Sequence, residues 1–198
     1  MSNITLVIDE NISRLDANCL RVIMAGVEFD NSERHTIDDV TNSLQDKLEE
    51  SDKFHFTDLT PSKRKIILEQ IIKLPIRAKI FCAYCHNIAE PTAKTSSLKL
   101  FIQQYLHDYQ KHNIQFMIEH ADEYSKIIKR HLLFDGSNSA LSILPDAICH
   151  SYMRHISTCA NKACGEVDLY EEYLSSIVRT QIIDSLPGRI FLSRENKL

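Results

Sequence analysis

Residues 5–14 read "TLVIDENISR". Leu6, Val7 and Ile8 make an unbroken apolar run, the pattern of a central strand covered on both faces. The run stops at two acids, Asp9 and Glu10. Either the strand has reached solvent there, or a sheet holds a carboxylate in position for a metal ion. The rest of the chain bears on that choice.

Residues 19–29, "CLRVIMAGVEF", form a second β-like run, hairpin-linked to the first, in which Gly26 marks a bulge or a close approach. The period then changes. Ile37, Val40, Leu44 and Leu48 recur at helical spacing, and Thr36 with Asp39 resembles a capping box. "KFHFTD" (53–58) reads as a short extended piece. A helix follows, with Thr60 as N-cap and Pro61 at its first position. "RAKIFCAYCH" (77–86) is a strand, "SSLKLFIQQYLHDYQ" (96–110) a helix, and "NIQFMIEH" (113–120) a strand carrying Glu119 near its end. Residues 121–133 suit a helix capped by Asp122. "LPDAICHSYMRHI" (144–156) opens a helix at Pro145, and a last amphipathic helix is expected over 166–185. The tail from Pro187 is loosely specified. Strands first, then strands alternating with helices, imply an α/β domain with a mixed sheet flanked by helices. Residues 1–157 would form the domain and 158–198 a C-terminal helical extension of it, since no linker divides the chain.

The 198 residues are enough for a real core without disulfides. The 43% hydrophobic and 25% charged shares are those of an ordinary globular protein, and 4 Gly and 5 Pro leave no room for long low-complexity tracts. A net charge of −4 argues against coating nucleic acid by bulk charge. No signal-peptide pattern and no bilayer-length apolar run is present, so a cytoplasmic protein with reduced thiols and no membrane association is expected.

Three acids stand out by position: Asp9 at the end of the first apolar run, Glu119 after a later strand, and Asp146 in the first turn of a late helix. Elements from distant parts of the chain can bring such groups together. A carboxylate cluster needs a counter-charge, because close like charges raise one another's pKa. Mg²⁺ or Mn²⁺ supplies it, and a two-ion site can activate water for phosphodiester hydrolysis. Each acid alone also fits an ordinary strand end or a favourable helix dipole contact.

Taken together, "LVIDEN", "FHFTDL", "IRAKIFCAYCHN", "IQFMIEHADE" and "LPDAICHSYMRHI" resemble the family called domain of unknown function 3800, which is similar to ribonuclease H in fold. The resemblance spans roughly residues 4–157. It implies a ribonuclease H-like fold and a divalent-metal-dependent, nuclease-like site. The family's opening Asp-Glu falls on Asp9 and Glu10, its His segment on His55, its later-strand acid on Glu119 and its late-helix acid on Asp146. Asp9, Glu119 and Asp146 would ligate the metal, with Glu10 assisting as a ligand or by orienting water. Where the family has Ser-Gly after the acid pair, this chain has Asn11-Ile12, so the backbone beside Asp9 must take another path.

His55 would contact substrate or carry a proton; it also fits as a polar residue between Phe54 and Phe56. His150 and Arg154 follow Asp146 at helical spacing, so the three share one face, which either lines a cleft with Arg154 meeting phosphate or is a solvated stripe. Cys82-x-x-Cys85 with His86, and Cys159 with Cys164, have zinc-ligand chemistry. Cys82 and Cys85 would point to opposite faces of a strand, however, so Cys82 and Cys149 are expected to be buried small hydrophobes. The basic clusters at 62–65, 76–79 and 126–130 suit solvated faces.

Two functions follow. One is a metal-dependent nuclease acting on RNA or DNA. The other is a ribonuclease H-like subunit without catalysis that binds or assembles, with the 166–185 helix docking on a protein partner or a second copy. Either would fit a prokaryotic defence or mobile-element system.

Overall fold

Strand β1 (Asn3–Asp16) turns through Ala17 and Asn18 into β2 (Cys19–Asp30), and the two pair antiparallel over nearly their whole length. Asp16 fixes the turn by accepting from the Asn18 N–H at 2.7 Å. The computed structural model describes residues 3–47, 55–109, 112–118, 132–135, 139–160, 168–186 and 189–195. Around the hairpin, β3 (Arg77–His86) pairs antiparallel with β2, and β4 (Asn113–Ile118) runs parallel to β1. Beyond them lie β5 (Leu132–Asp135), β6 (Val178–Leu186) and β7 (Arg189–Glu195). The result is one mixed seven-stranded sheet in the order β5-β4-β1-β2-β3-β6-β7.

Helices cover both faces. Helices α1 (Arg34–Lys47), α2 (Pro61–Ile71) and α4 (Ile143–Ala160) lie on one, and α3 (Glu90–Asp108) on the other. The pleat divides β2 between two cores. Ile23, Ala25, Val27 and Phe29 pack with Ile37, Ile67, Leu144 and Ile148; Val22 and Met24 pack with Leu98, Phe101 and Ile102. Complete burial of residues 19–29 explains the continuous apolar run. Each large side chain so buried contributes about 1.5–3 kcal/mol.

Gly26 marks a close approach and not a bulge. Its register with Ile8 and Lys79 is unbroken, Tyr105 donates to its carbonyl at 3.2 Å, and an added Cβ would stand 2.8 Å from Phe101 Cζ.

Three expectations are corrected. First, β1 does not end at the acids: it continues through Asn11 and Ile12, opposite Ile23 and Val22. A β-branched Ile12 suits a strand better than the left-handed turn a Gly would permit. Second, α1 starts at Arg34, directly after a 3-10 turn (Asn31–Glu33) whose N-cap is Asp30, so Thr36 lies inside the helix. Third, the described residues from Asp168 on form no C-terminal helical extension. A single π-helical turn (Tyr170–Leu174) leads into β6 and β7. Tyr170, Leu174 and Val178 do recur at helical spacing, but all three are buried in the protein's own core, so the helix face proposed for a partner or second copy does not exist. The β-branched pairs Ile177-Val178 and Ile182-Ile183 favour strand, and β3 offers an edge to receive it. The helix expected over 121–133 falls outside the described residues, apart from its last two, which belong to β5.

Candidate functional site

The site lies along β1 just past the described part of its ladder with β4. That ladder is described up to Ile8 and Ile118, and Asp9 follows, paired with Ala25 of β2. Odd positions of β1 face α4 and even positions face α3. Asp9, Asn11 and Ser13 therefore share one face, while Glu10 points to the other.

Helix α4 supplies the opposing wall. Asp146, in its first turn, is nearly buried and uses both carboxylate oxygens: Oδ2 accepts from the Phe56 N–H at 2.7 Å, and Oδ1 lies 3.1 Å from His150 Nε2. One turn on, the His150 ring meets Asn11 Nδ2 at 3.4 Å from Nε2 and 3.5 Å from Nδ1, the partner depending on tautomer. Arg154, a further turn along, is exposed. Between wall and sheet sits Cys149, fully buried, donating to the Asp9 carbonyl at 3.5 Å and the Ile23 carbonyl at 3.8 Å. Burial pushes its thiol pKa well up, and the negative charges of Asp9, Asp146 and Glu10 push it further.

A loop closes the end of this wall. His55 is extended and exposed, and Phe56–Asp58 form a 3-10 turn with the Phe56 ring buried. Arg64 of α2 holds that turn, donating to the Phe56 carbonyl at 3.1 Å and the Thr57 carbonyl at 2.5 Å, with its guanidinium 5.8 Å from the Phe56 ring centre. Arg64 is therefore a positioning residue for the N–H that binds Asp146, a role invisible in a cluster read as solvated.

Glu10 is engaged on the opposite face by Lys94 of α3 in an ion pair. The structure thus brings together Asp9, Asp146 and His150, adds Asn11, and directs Glu10 elsewhere. The described contacts of His55 run through its backbone, whose carbonyl accepts from the Asp58 N–H at 2.9 Å. Glu119 lies outside the described residues. Among the described residues, no group of three or more His, Cys, Asp or Glu side chains is arranged to hold a metal ion.

Cys82 and Cys149 are buried free thiols, as expected, and Cys82 and Cys85 face opposite cores. The Cys82 thiol is pushed up to about 11, chiefly by burial. Cys164 and the side chain of Cys159 lie outside the described residues. No helix among the described residues is long and apolar enough to cross a membrane.

No protein-family model and no curated protein matches the chain. Among solved structures, it is similar to a chain in the structure of the PCNA:RNase HII complex from Archaeoglobus fulgidus, at 16% identity and a TM-score of 0.45, covering 87% of each chain.

Proposed function

We propose that this chain is a ribonuclease H-like, divalent-metal-dependent nuclease related to the domain of unknown function 3800 family, hydrolysing phosphodiester bonds in RNA or DNA. One observation carries the reading: β1, which bears Asp9, meets the helix that bears Asp146 through Cys149 on the Asp9 carbonyl and through His150, which contacts both Asn11 and Asp146. Their donor chemistry fits Mg²⁺ or Mn²⁺. Mg²⁺ is commonly held by one or two carboxylates, with waters and substrate phosphates completing its shell. Asp9 and Asp146 would be those two ligands, and Glu119, next in sequence after β4, a third. When bound, the ion would lower the pKa of a coordinated water and stabilise developing charge on phosphate oxygens. His150, held between Asn11 and Asp146, orients the Asp146 carboxylate and can exchange a proton with it. Arg64, by holding the 56–58 turn, keeps the Phe56 N–H on the same carboxylate.

A second reading has its own support. Both Asp146 oxygens are already hydrogen-bonded, and Glu10 is neutralised by Lys94. These features suit a subunit that binds nucleic acid without cutting it.

Calorimetric titration with Mg²⁺ and Mn²⁺, on wild type and on the Asp9→Asn, Asp146→Asn double variant, tests the proposal together with cleavage assays on RNA, DNA and hybrid. Binding and cleavage by wild type, both lost in the double variant, are expected. Cleavage by the double variant at the wild-type rate refutes it. Metal binding without cleavage of any substrate favours the binding subunit.

A further inference from the structure

Beyond His150 the line of contact between β1 and α4 continues, and its far end holds a buried cation. Arg21 of β2 is 8% exposed. It stands directly across the β1–β2 ladder from Ser13 and across the β2–β3 ladder from Tyr84. Its Nε donates to Ser13 Oγ at 3.1 Å, and its Nη2 lies 2.7 Å from Met153 Sδ and 3.3 Å from Ser157 Oγ. The Tyr84 hydroxyl is hydrogen-bonded to Arg21 as well, and all four partners are neutral. Among the described residues no carboxylate forms an ion pair with Arg21. A guanidinium taken this far out of water without an anion is costly. Apolar neighbours of similar volume would serve the fold as well or better, since Arg21 faces the core that holds Ile23 and Tyr152.

The position of Arg21 has a direction. Asp9, Asn11 and Ser13 follow one another on the same face of β1. Asp146, His150, Met153 and Ser157 follow on the facing ridge of α4, and cross-contacts join them as Asn11–His150 and Ser13–Met153. Four strand residues span about 13 Å from Asp9 to Ser13. That is the axial length of about four nucleotides in one strand of a duplex. A polar track therefore leads from Asp9 and Asp146 to an arginine that no described carboxylate pairs with.

We propose that Arg21, with Ser13 and Ser157, is a phosphate subsite that binds the backbone of a nucleic acid strand lying along the line where β1 meets α4. The planar fork of Arg suits phosphate oxygens. The direction of the strand toward Asp9 and Asp146 rests on the nuclease reading; the anion preference of Arg21 does not.

The test uses fluorescein-labelled single-stranded RNA and DNA oligonucleotides, with anisotropy read across a salt series in EDTA, so that metal and cleavage play no part. Two variants are compared with wild type. Arg21→Met removes the cation. Ser157→Glu, at an exposed helix position, supplies an internal counter-ion and keeps Arg21. Both should weaken binding on the order of tenfold. Both should reduce the salt slope by about one. Both should melt at or above the wild-type temperature, because an unpaired buried charge is relieved. Wild-type affinity and slope in either folded variant overturn the proposal. So does wild type that binds no oligonucleotide at low salt, including the case where inorganic phosphate alone raises its melting temperature, which would mark a small-anion site. Loss of binding in the variants of a protein that never cleaves would leave the subsite standing and remove the nuclease.

Discussion

Replacing Asp146 separates what the carboxylate does for the fold from what it does for a metal. The side chain is 10% exposed, accepts a buried backbone N–H from Phe56 and pairs with His150. Asp146→Ala leaves that N–H without a partner. Loss of a charge-assisted hydrogen bond costs about 1.5–3 kcal/mol. Loss of the negative charge at the start of α4 costs about 0.3–1 kcal/mol more. The total, about 2–4 kcal/mol, lowers the melting temperature of a chain this size by roughly 5–15 °C. Asp146→Asn behaves differently. Its amide oxygen still accepts from Phe56 and its NH₂ faces His150, so stability falls by about 1 kcal/mol or less, while the carboxylate proposed to hold the metal is gone. Thermal melts followed by circular dichroism, with metal titration on the same samples, give both readouts. An Asp146→Ala variant melting within about 2 °C of wild type refutes the claim that this carboxylate holds the 56–58 turn.

Gly26→Ala brings a methyl to 2.8 Å from Phe101 Cζ and 3.0 Å from Tyr105 Oη, so overpacking should cost about 1–3 kcal/mol in a chemical denaturation curve. Glu10→Gln should leave divalent-metal affinity unchanged in calorimetry, because Glu10 is paired with Lys94 on the α3 face; loss of affinity would return Glu10 to the metal site. Stability should fall as pH rises from about 9 to 11, because Cys82 keeps its proton in the folded protein up to about 11 against 9.0 when unfolded. The folded state binds more protons across that window, so the contribution is fully present below pH 9 and lost above 11. It amounts to about 2–3 kcal/mol, and Cys82→Ala should flatten that part of the alkaline melting profile.

Where local chemistry decides structure, the sequence is a good guide. β3 occupies Arg77–His86 as expected, bounded by Pro75 and by Asn87, whose φ of 55° ends the strand. Thr60 and Pro61 start α2 because the Thr hydroxyl accepts from the Lys63 N–H and Pro has no N–H to lose. Where a neighbouring element decides, the sequence is silent. Nothing in "VIDENIS" says that β1 runs on past the acids, with Asn11 and Ile12 opposite Ile23 and Val22, and that is what leaves Asp9 in mid-strand. Lys94 meets Glu10 from far along the chain, and Arg64 and Arg21 meet Phe56 and Ser13 only because a turn brings back residues eight positions away. The 166–185 segment carries a helical period at Tyr170, Leu174 and Val178 because a bent turn and the first residue of a strand happen to bury the same positions.

The uninterrupted path of β1 also changes what the acid pair can do. A carboxylate on a loop adjusts to its metal; Asp9 is held by the β1–β2 ladder, and its carbonyl is tied to α4 through Cys149. Any adjustment of the Asp9–Asp146 distance must therefore come from α4 moving against the sheet. Beside the packed core of Leu144, Ile148 and Tyr152, three polar links join α4 to β1: a thiol donor at 3.5 Å, an amide–imidazole contact at 3.4 Å and a hydroxyl–thioether contact at 3.8 Å. The short bond from Asp146 runs instead to the 56–58 turn, which Arg64 anchors to α2. The orientation of the Asp146 carboxylate is thus set by Phe56 and His150, on the helical side of the site, and not by β1.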